Sequence, residues 1–485
     1  MSEIRYVCLS DVHFGAENSL LTCLDPGAGE IDVARPSPVL VGLVQCLDHL
    51  IGGSSGQRPT LVLHGDIFEL ALAEANDAFM VFERFLELAF PQGQTWLFDK
   101  TILYVPGNHD HHLWELAREA QYVRYLESRT LGERLPVLWH TTRLFTHEDP
   151  APVESSLLNA IIRRHPHLGD LTVRTIYPNL GLLSPSGRRC ALVHHGHFTE
   201  YVYRLMSVLQ DMIFVGDKVG NEISDWEAEN FAWIDFLWST LGGSGRVGQD
   251  IALVYDMLQS PRAVRLLTNN LARSIAGRHA GGWLGQLSLT VALRFVFNRI
   301  FAHVAVMERN VTGDVLTEDT KRVLALYLEQ PLLRQIERER GQTALPSDFL
   351  FIFGHTHKPF EAWGTFKGYP SRVALFNSGG WVVDTELPVP KQGAAAILLD
   401  SELNAVSLRL YNQGAHPHEY EVRVAGLDDP QSRGLLSTVS SRTDSKRPPW
   451  HDFSNTVARA VAERRHALAR IIARGERTAR QIGRK

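Results

Sequence analysis

Cysteine is scarce in this chain. The four present, Cys8, Cys23, Cys46 and Cys190, form no CxxC pair and no dense framework, which excludes a thiolate zinc ribbon, a redox pair and a disulfide scaffold and fits a reducing compartment. Long apolar runs are missing as well. The closest approach, Leu287 to Met307, is interrupted by Arg294, Asn298, Arg299 and His303, whereas a spanning helix needs about 18 or more unbroken apolar residues. Nor does one charge dominate: Lys+Arg 49 against Asp+Glu 54 leaves a net −5, so the whole molecule has no attraction to nucleic acid or anionic lipid. The start reads without a signal peptide, because Met1-Ser-Glu-Ile-Arg5 runs straight into the apolar Tyr6–Leu9 and Asp11 follows at once. The expected location is therefore the cytoplasm.

What is there is a folded globular composition, 44% hydrophobic and 21% charged over 485 residues, enough for two or three domains. Up to about His197 the texture alternates strand, loop and helix. Ile4–Leu9, Thr60–Leu63 and Thr101–Val105 are short apolar runs ending in polar residues, as buried strands of an α/β sheet do. Asp77 to Phe90 has helical spacing, and Thr172 to Val193 reads as a hairpin turning at Ser184-Pro-Ser-Gly187. From Thr199 to Pro346 amphipathic helices take over, expected at Tyr201–Val215, Asp225–Leu241, Gln249–Leu258, Gly285–Met307 and Glu318–Arg340. Strands resume at Phe349–Phe353, Val373–Asn377, Ala394–Leu399 and Val406–Tyr411. This order predicts an α/β core, residues 1–198 and 346–425, interrupted by a helical insertion over 199–345. Residues 426–485 read as a Ser-, Arg- and Pro-rich linker, Gln431 to Pro449, followed by a basic amphipathic helix. Nine Arg or Lys against two acids give Val457–Lys485 a charge of +7 and leave −12 on everything before it.

Five short segments pair metal-ligand side chains with a strand end or a glycine: Asp11-Val-His13, Gly65-Asp66, Gly107-Asn-His-Asp110, His195-Gly-His197 and Gly354-His-Thr-His357. Each follows an apolar run, and side chains at the carboxyl ends of sheet strands project into one crevice, where open α/β folds bind their ligands. Asp, Asn and His together supply oxygen and imidazole donors suited to Mn, Fe, Zn or Ni rather than to Ca. One carboxylate shared by two cations would hold them about 3.5–4 Å apart, the spacing used in phosphoryl chemistry.

The order DxH … GD … GNHD … HGH … GHTH resembles the calcineurin-like metallophosphoesterase superfamily, over about the first two hundred residues and again from about Pro346 to Tyr411. The resemblance implies a four-layer α-β-β-α sandwich, here with an inserted helical cap, that hydrolyses a phosphomonoester, phosphodiester or pyrophosphate. It implies two divalent ions, manganese first among them: one held by Asp11, His13 and His357, the other by Asn108, His195 and His355, with Asp66 between. His195 is chosen over His194 because the family ligand precedes Gly-His. A water between the ions would attack phosphorus, His109 would stabilise the transition state or protonate the leaving oxygen, Asp110 would orient its ring, and His197 would contact the phosphate or leaving group. A metal-dependent nuclease and a metal-free scaffold on the same fold are the alternatives, and the acidic, Trp-rich insertion argues against the first.

Gly65-Asp-Ile-Phe-Glu69 and Asn377-Ser-Gly-Gly-Trp381 are similar to the branch containing UDP-2,3-diacylglucosamine hydrolase, which acts on a lipid-linked pyrophosphate. The resemblance makes Glu69 a partner behind the metal ligands and Asn377–Gly380 a flanking turn. This chain has GNHD where that branch has GNRD, and its insertion comes later. The aromatic-rich insertion buries its own core, offers an acyl-binding or membrane-facing groove, or forms a dimer interface. The tail reads as a solvated, partly disordered helix, or as a membrane-surface or nucleic-acid arm. Peripheral contact with an anionic surface would run through either; specific nucleic acid is not expected, since aromatics that could stack bases are absent after Phe453. His64 is expected to pack at a strand end, and His111, His112, His140, His147, His165 and His167 to lie at the surface.

Overall fold

The computed structural model describes residues 3–25, 30–52, 56–146, 152–199, 222–234 and 314–482. In chain order the strands are β1 (Ile4–Leu9), β2 (Thr60–His64), β3 (Thr101–Val105), β4 (Thr172–Thr175), β5 (Asn179–Leu183), β6 (Arg189–His194), β7 (Asp348–Phe353), β8 (Phe360–Gly364), β9 (Val373–Asn377), β10 (Gly393–Asp400), β11 (Ala405–Asn412) and β12 (Arg423–Ala425). The helices are α1 (Pro38–Ile51), α2 (Ala75–Ala89), α3 (His111–Glu127), α4 (Ser156–Ile162), α5 (Ile223–Ile234), α6 (Glu318–Tyr327), α7 (Leu333–Arg340), α8 (Arg433–Ser441) and α9 (Trp450–Ile482).

These strands form a mixed α/β fold with two sheets, ordered β12-β11-β10-β1-β2-β3-β4 and β5-β6-β7-β9-β8. The first contains β1, β2, β3 and β4 in parallel, with β10 antiparallel to β1. The second has β6, β7 and β9 in parallel. The chain therefore leaves the first sheet after β4, builds the second, and returns through β10 to lie beside its own first strand. Period-two alternation sorts the apolar side chains. In β1, Cys8 joins a core that also holds Val193 of β6 and Ile352 of β7, between the sheets. Val7 and Leu9 face outward onto α1, α2, α8 and α9. In β7, Leu350 and Ile352 face the first sheet, while Phe349, Phe351 and Phe353 face α5, α6 and α7.

Four stretches depart from expectation. Thr172–Thr175 pairs with β3 in the first sheet, so the hairpin begins only at Asn179, after Pro178 breaks the run. Glu318–Arg340 is helical throughout, but Pro331, which cannot donate to a regular ladder, sits in a wide turn over Leu328–Leu332 that separates α6 from α7. The linker stretch Gln431–Pro449 contains α8, with Leu435 and Val439 buried. The basic tail forms α9, which buries Trp450, Phe453, Val457, Val461, Leu468 and Ile472 and packs Phe453 against Gly42 of α1. Expected helices at Tyr201–Val215, Gln249–Leu258 and Gly285–Met307 lie outside the described residues, as does Asp225–Leu241 beyond Ile234. No helix among the described residues is long and apolar enough to cross a membrane.

Candidate metal centre

Parallel pairing fixes where the five motifs end up. Leu9 pairs with Leu63, and His64 with Val105, so the turns after β1, β2 and β3 leave one edge of the first sheet side by side. Val193 pairs with Ile352 in the second sheet, which does the same for the turns after β6 and β7. Backbone bonds lock neighbouring turns: Asp11 N donates to Gly65 O at 2.9 Å, His13 N to Asp66 O at 2.9 Å and Gly354 N to His195 O at 2.7 Å. The two sheets are joined where His355 N donates to Asp11 Oδ1 at 2.9 Å.

The turns are held in costly conformations. Asp11, His13, Asp66, His355 and His357 all have positive φ, between 48° and 67°, and Leu403 is the one other non-glycine residue so placed among the described residues. Left-handed backbone at a side-chain-bearing residue persists only where surroundings over-determine it, and it gathers at functional sites. Two glycines make room for this crowding. A Cβ on Gly65, itself at φ +90°, would sit on the His195 ring, and one on Gly354 would sit on the Asp11 carboxylate.

Three buried groups of ligand-type atoms result: Asp11, His13 and His357; Asp66, His195 and His355; and His13, Glu69 and His109. Nε2 of His195 is the focus of the second. Asn108 Oδ1 lies 3.0 Å from it, His355 Nδ1 3.1 Å and Asp66 Oδ2 3.2 Å. One ring nitrogen carries at most one proton and cannot serve two oxygens and a second ring nitrogen together, whereas a cation draws all four atoms. In the first group His357 Nε2 is 3.3 Å from Asp11 Oδ1. His13 Nε2 points inward, 3.8 Å from Asp66 Oδ2 and without a hydrogen-bond partner among the described residues. The donor sets therefore fit metal ions.

Carboxylates behind the rings fix their orientation, the arrangement that metal-bound histidines use. Asp384 Oδ2 is 2.6 Å from His357 Nδ1. Glu69 serves two rings, with Oε2 2.9 Å from His13 Nδ1 and Oε1 2.8 Å from His109 Nδ1. Oε1 also accepts from Ala71 N and Leu72 N. So many donors leave the Glu69 carboxylate little capacity for an ion, and the third group is a brace for the other two. Ser10 Oγ donates to Asp11 Oδ2 and lies 2.5 Å from Ser378 Oγ.

The electrostatics match a site built for positive charge. Burial alone would raise the Asp66 carboxyl, yet His195 and His109 hold it well below the ordinary range. Asp11 is likewise lowered against burial, chiefly by His357. Burial would lower the histidines in turn, but Asp66 lifts His195 to about 9, and Asp384 with Asp11 lifts His357 to about 9. Protons here stand where cations would be equally favoured.

The structure thus brings together Asp11, His13, Asp66, Asn108, His109, His195, His355 and His357. His195, not His194, joins the second group; His194 accepts from Gly196 N at 2.7 Å and packs on Phe198 and Tyr327. One expected contact differs. Asp110 accepts from Gly107 N, Ile67 N and Phe68 N, so it braces the backbone of two ligand turns while Glu69 orients His109. His197 lies outside the three ligand groups, its ring 5.5 Å from that of His195 and its Nε2 3.5 Å from Tyr177 Oη. His111, expected at the surface, is fully buried against Glu227. Asp384, Ser10 and Glu227 were not identified from sequence: isolated acids and hydroxyls far from the motifs carry no local signal. Comparison of the sequence with protein-family models and with curated proteins finds no match.

Proposed function

We propose that this chain is a dinuclear metal-dependent phosphoesterase of the calcineurin-like type, its sheets and helices forming that family's four-layer sandwich. The observation that carries the reading is the place of Asp66, whose Oδ2 faces His195 of one ligand group at 3.2 Å and His13 of the other at 3.8 Å. Asp11, His13 and His357 would hold one ion and Asn108, His195 and His355 the other, with Asp66 common to both. Manganese is the first choice, and Fe, Zn and Ni suit the same donors. Such ions supply Lewis acidity toward a phosphoryl oxygen and a water acidified enough to attack at neutral pH.

The chain's own groups do the rest. His109 turns Nδ1 to Glu69 and Nε2 toward Asp66, 4.0 Å away, a pose in which Nε2 can hold a proton for the leaving oxygen. Glu69 fixes that ring and the His13 ring together. The substrate would be a phosphomonoester, phosphodiester or pyrophosphate, including a lipid-linked one, met in the cytoplasm or at the inner face of a membrane. Hydrolysis of p-nitrophenyl phosphate, bis-p-nitrophenyl phosphate and a lipid pyrophosphate with added Mn²⁺ tests this. Turnover should require the metal and vanish in Asp66→Ala, and His109→Ala should lose about 10²–10⁴-fold. A metal-loaded wild type inert toward all three would overturn the reading.

A further inference from the structure

Helix α5 belongs to the segment between the fourth and fifth motifs, and its Glu227 is fully buried. One carboxylate oxygen accepts from His111 Nε2 at 2.8 Å and the other from Tyr177 Oη at 3.0 Å. One turn on, the Phe231 ring packs 5.0 Å from that of His111, with the Arg118 guanidinium 4.1 Å from its centre.

Both partners of Glu227 lead to the metal centre. His111 opens α3 directly after Asn108-His109-Asp110. Tyr177 Oη also lies 3.5 Å from His197 Nε2, and the His197 ring stands 5.5 Å from that of His195. Burying a carboxylate costs several kcal/mol unless its oxygens are hydrogen-bonded, and apolar residues of similar volume hold elements together as well or better. What a buried glutamate adds over a leucine is direction: it fixes two donors in place.

We propose that Glu227 is a positioning residue of the metal centre, holding the first turn of α3 and the Tyr177–His197 pair, and through them Asn108, His109 and His195. Helix α5 thereby completes the site. The effect on turnover rests on the phosphoesterase reading; the effect on metal binding does not.

The test uses the full chain and Co²⁺ as the probe, since its visible absorption reports ligand geometry. Glu227→Gln and Tyr177→Phe should bind Co²⁺ about tenfold or more weakly, with an altered spectrum and, on p-nitrophenyl phosphate, a lower kcat at little-changed KM. Phe231→Leu loosens the same junction through packing alone, so it should lower Tm yet leave Co²⁺ affinity and spectrum at wild-type values. If Glu227→Gln behaves like Phe231→Leu, the residue is merely structural and the proposal is overturned. Should Glu227→Gln not fold, Tyr177→Phe, which removes a single oxygen, decides by the same criteria. If the wild type hydrolyses no ester, the phosphoesterase reading falls and the Co²⁺ comparison still decides this one.

Discussion

Nδ1 of His357 lies 2.6 Å from Oδ2 of Asp384, a buried pair 27 positions apart in the chain. The contact leaves Nε2 of His357 facing Asp11. Asp384→Asn keeps the shape and removes the charge that fixes the ring, so affinity for metal in the Asp11, His13 and His357 group should fall about 10–100-fold. Titration of the metal-free protein by calorimetry measures it; unchanged affinity would show that Asp384 does not orient the ligand.

Glu69 binds its two histidines into one unit, and energies within one network do not add. Glu69→Gln and His109→Ala should each depress kcat, and the double variant should be little worse than His109→Ala alone in kcat while metal retention drops further through His13. Additive losses in kcat across the cycle would mean that Glu69 acts independently of His109.

His64 supplies a pH dependence with a definite sign. Burial lowers this imidazole from 6.5 to about 4, Asp11 only partly opposing it. The unfolded chain takes up the proton near pH 6.5 and the folded one near 4, so the contribution is fully present above 6.5 and lost as pH falls toward 4. Over that window it amounts to on the order of 3 kcal/mol. Denaturant midpoints between pH 7 and 4 should therefore fall more steeply for wild type than for His64→Gln. Parallel curves would count against a buried neutral His64.

Arg464 of α9 donates to Ser19 O from Nε at 3.1 Å and from Nη2 at 2.8 Å, and reaches Thr22 O as well. These carbonyls belong to the loop that follows Asp11 and His13. Arg464→Met would leave them without donors, at a cost of roughly 2–4 kcal/mol. The urea midpoint should drop with an unchanged slope, a result that a loosely attached tail would not give.

Most of the strands and all five motifs could be read from sequence because each is a local event: a short apolar run, then ligand-type side chains at a strand end or beside a glycine. Which motifs meet also followed, since strand ends of one parallel sheet share an edge. The partners behind the ligands were another matter. Asp384 and Glu227 are ordinary acids in sequence, and only the return of the chain through β9 and α5 brings them to His357 and His111. In the tail the nine basic residues suggest a solvated face, while the apolar stripe of Phe453, Val457 and Val461 finds its cover on α1, more than four hundred residues earlier. His111, expected at the surface, is buried between Tyr177 and the α5 residues Glu227 and Phe231, all distant from it in the chain.

Crystals grown with Mn²⁺ and measured at an absorption edge of manganese would locate the ions directly. Two anomalous peaks are expected, both within bonding distance of Asp66, one against His13 and His357 and one against His195 and His355. A single peak, or peaks that leave Asp66 unliganded, would contradict the dinuclear reading.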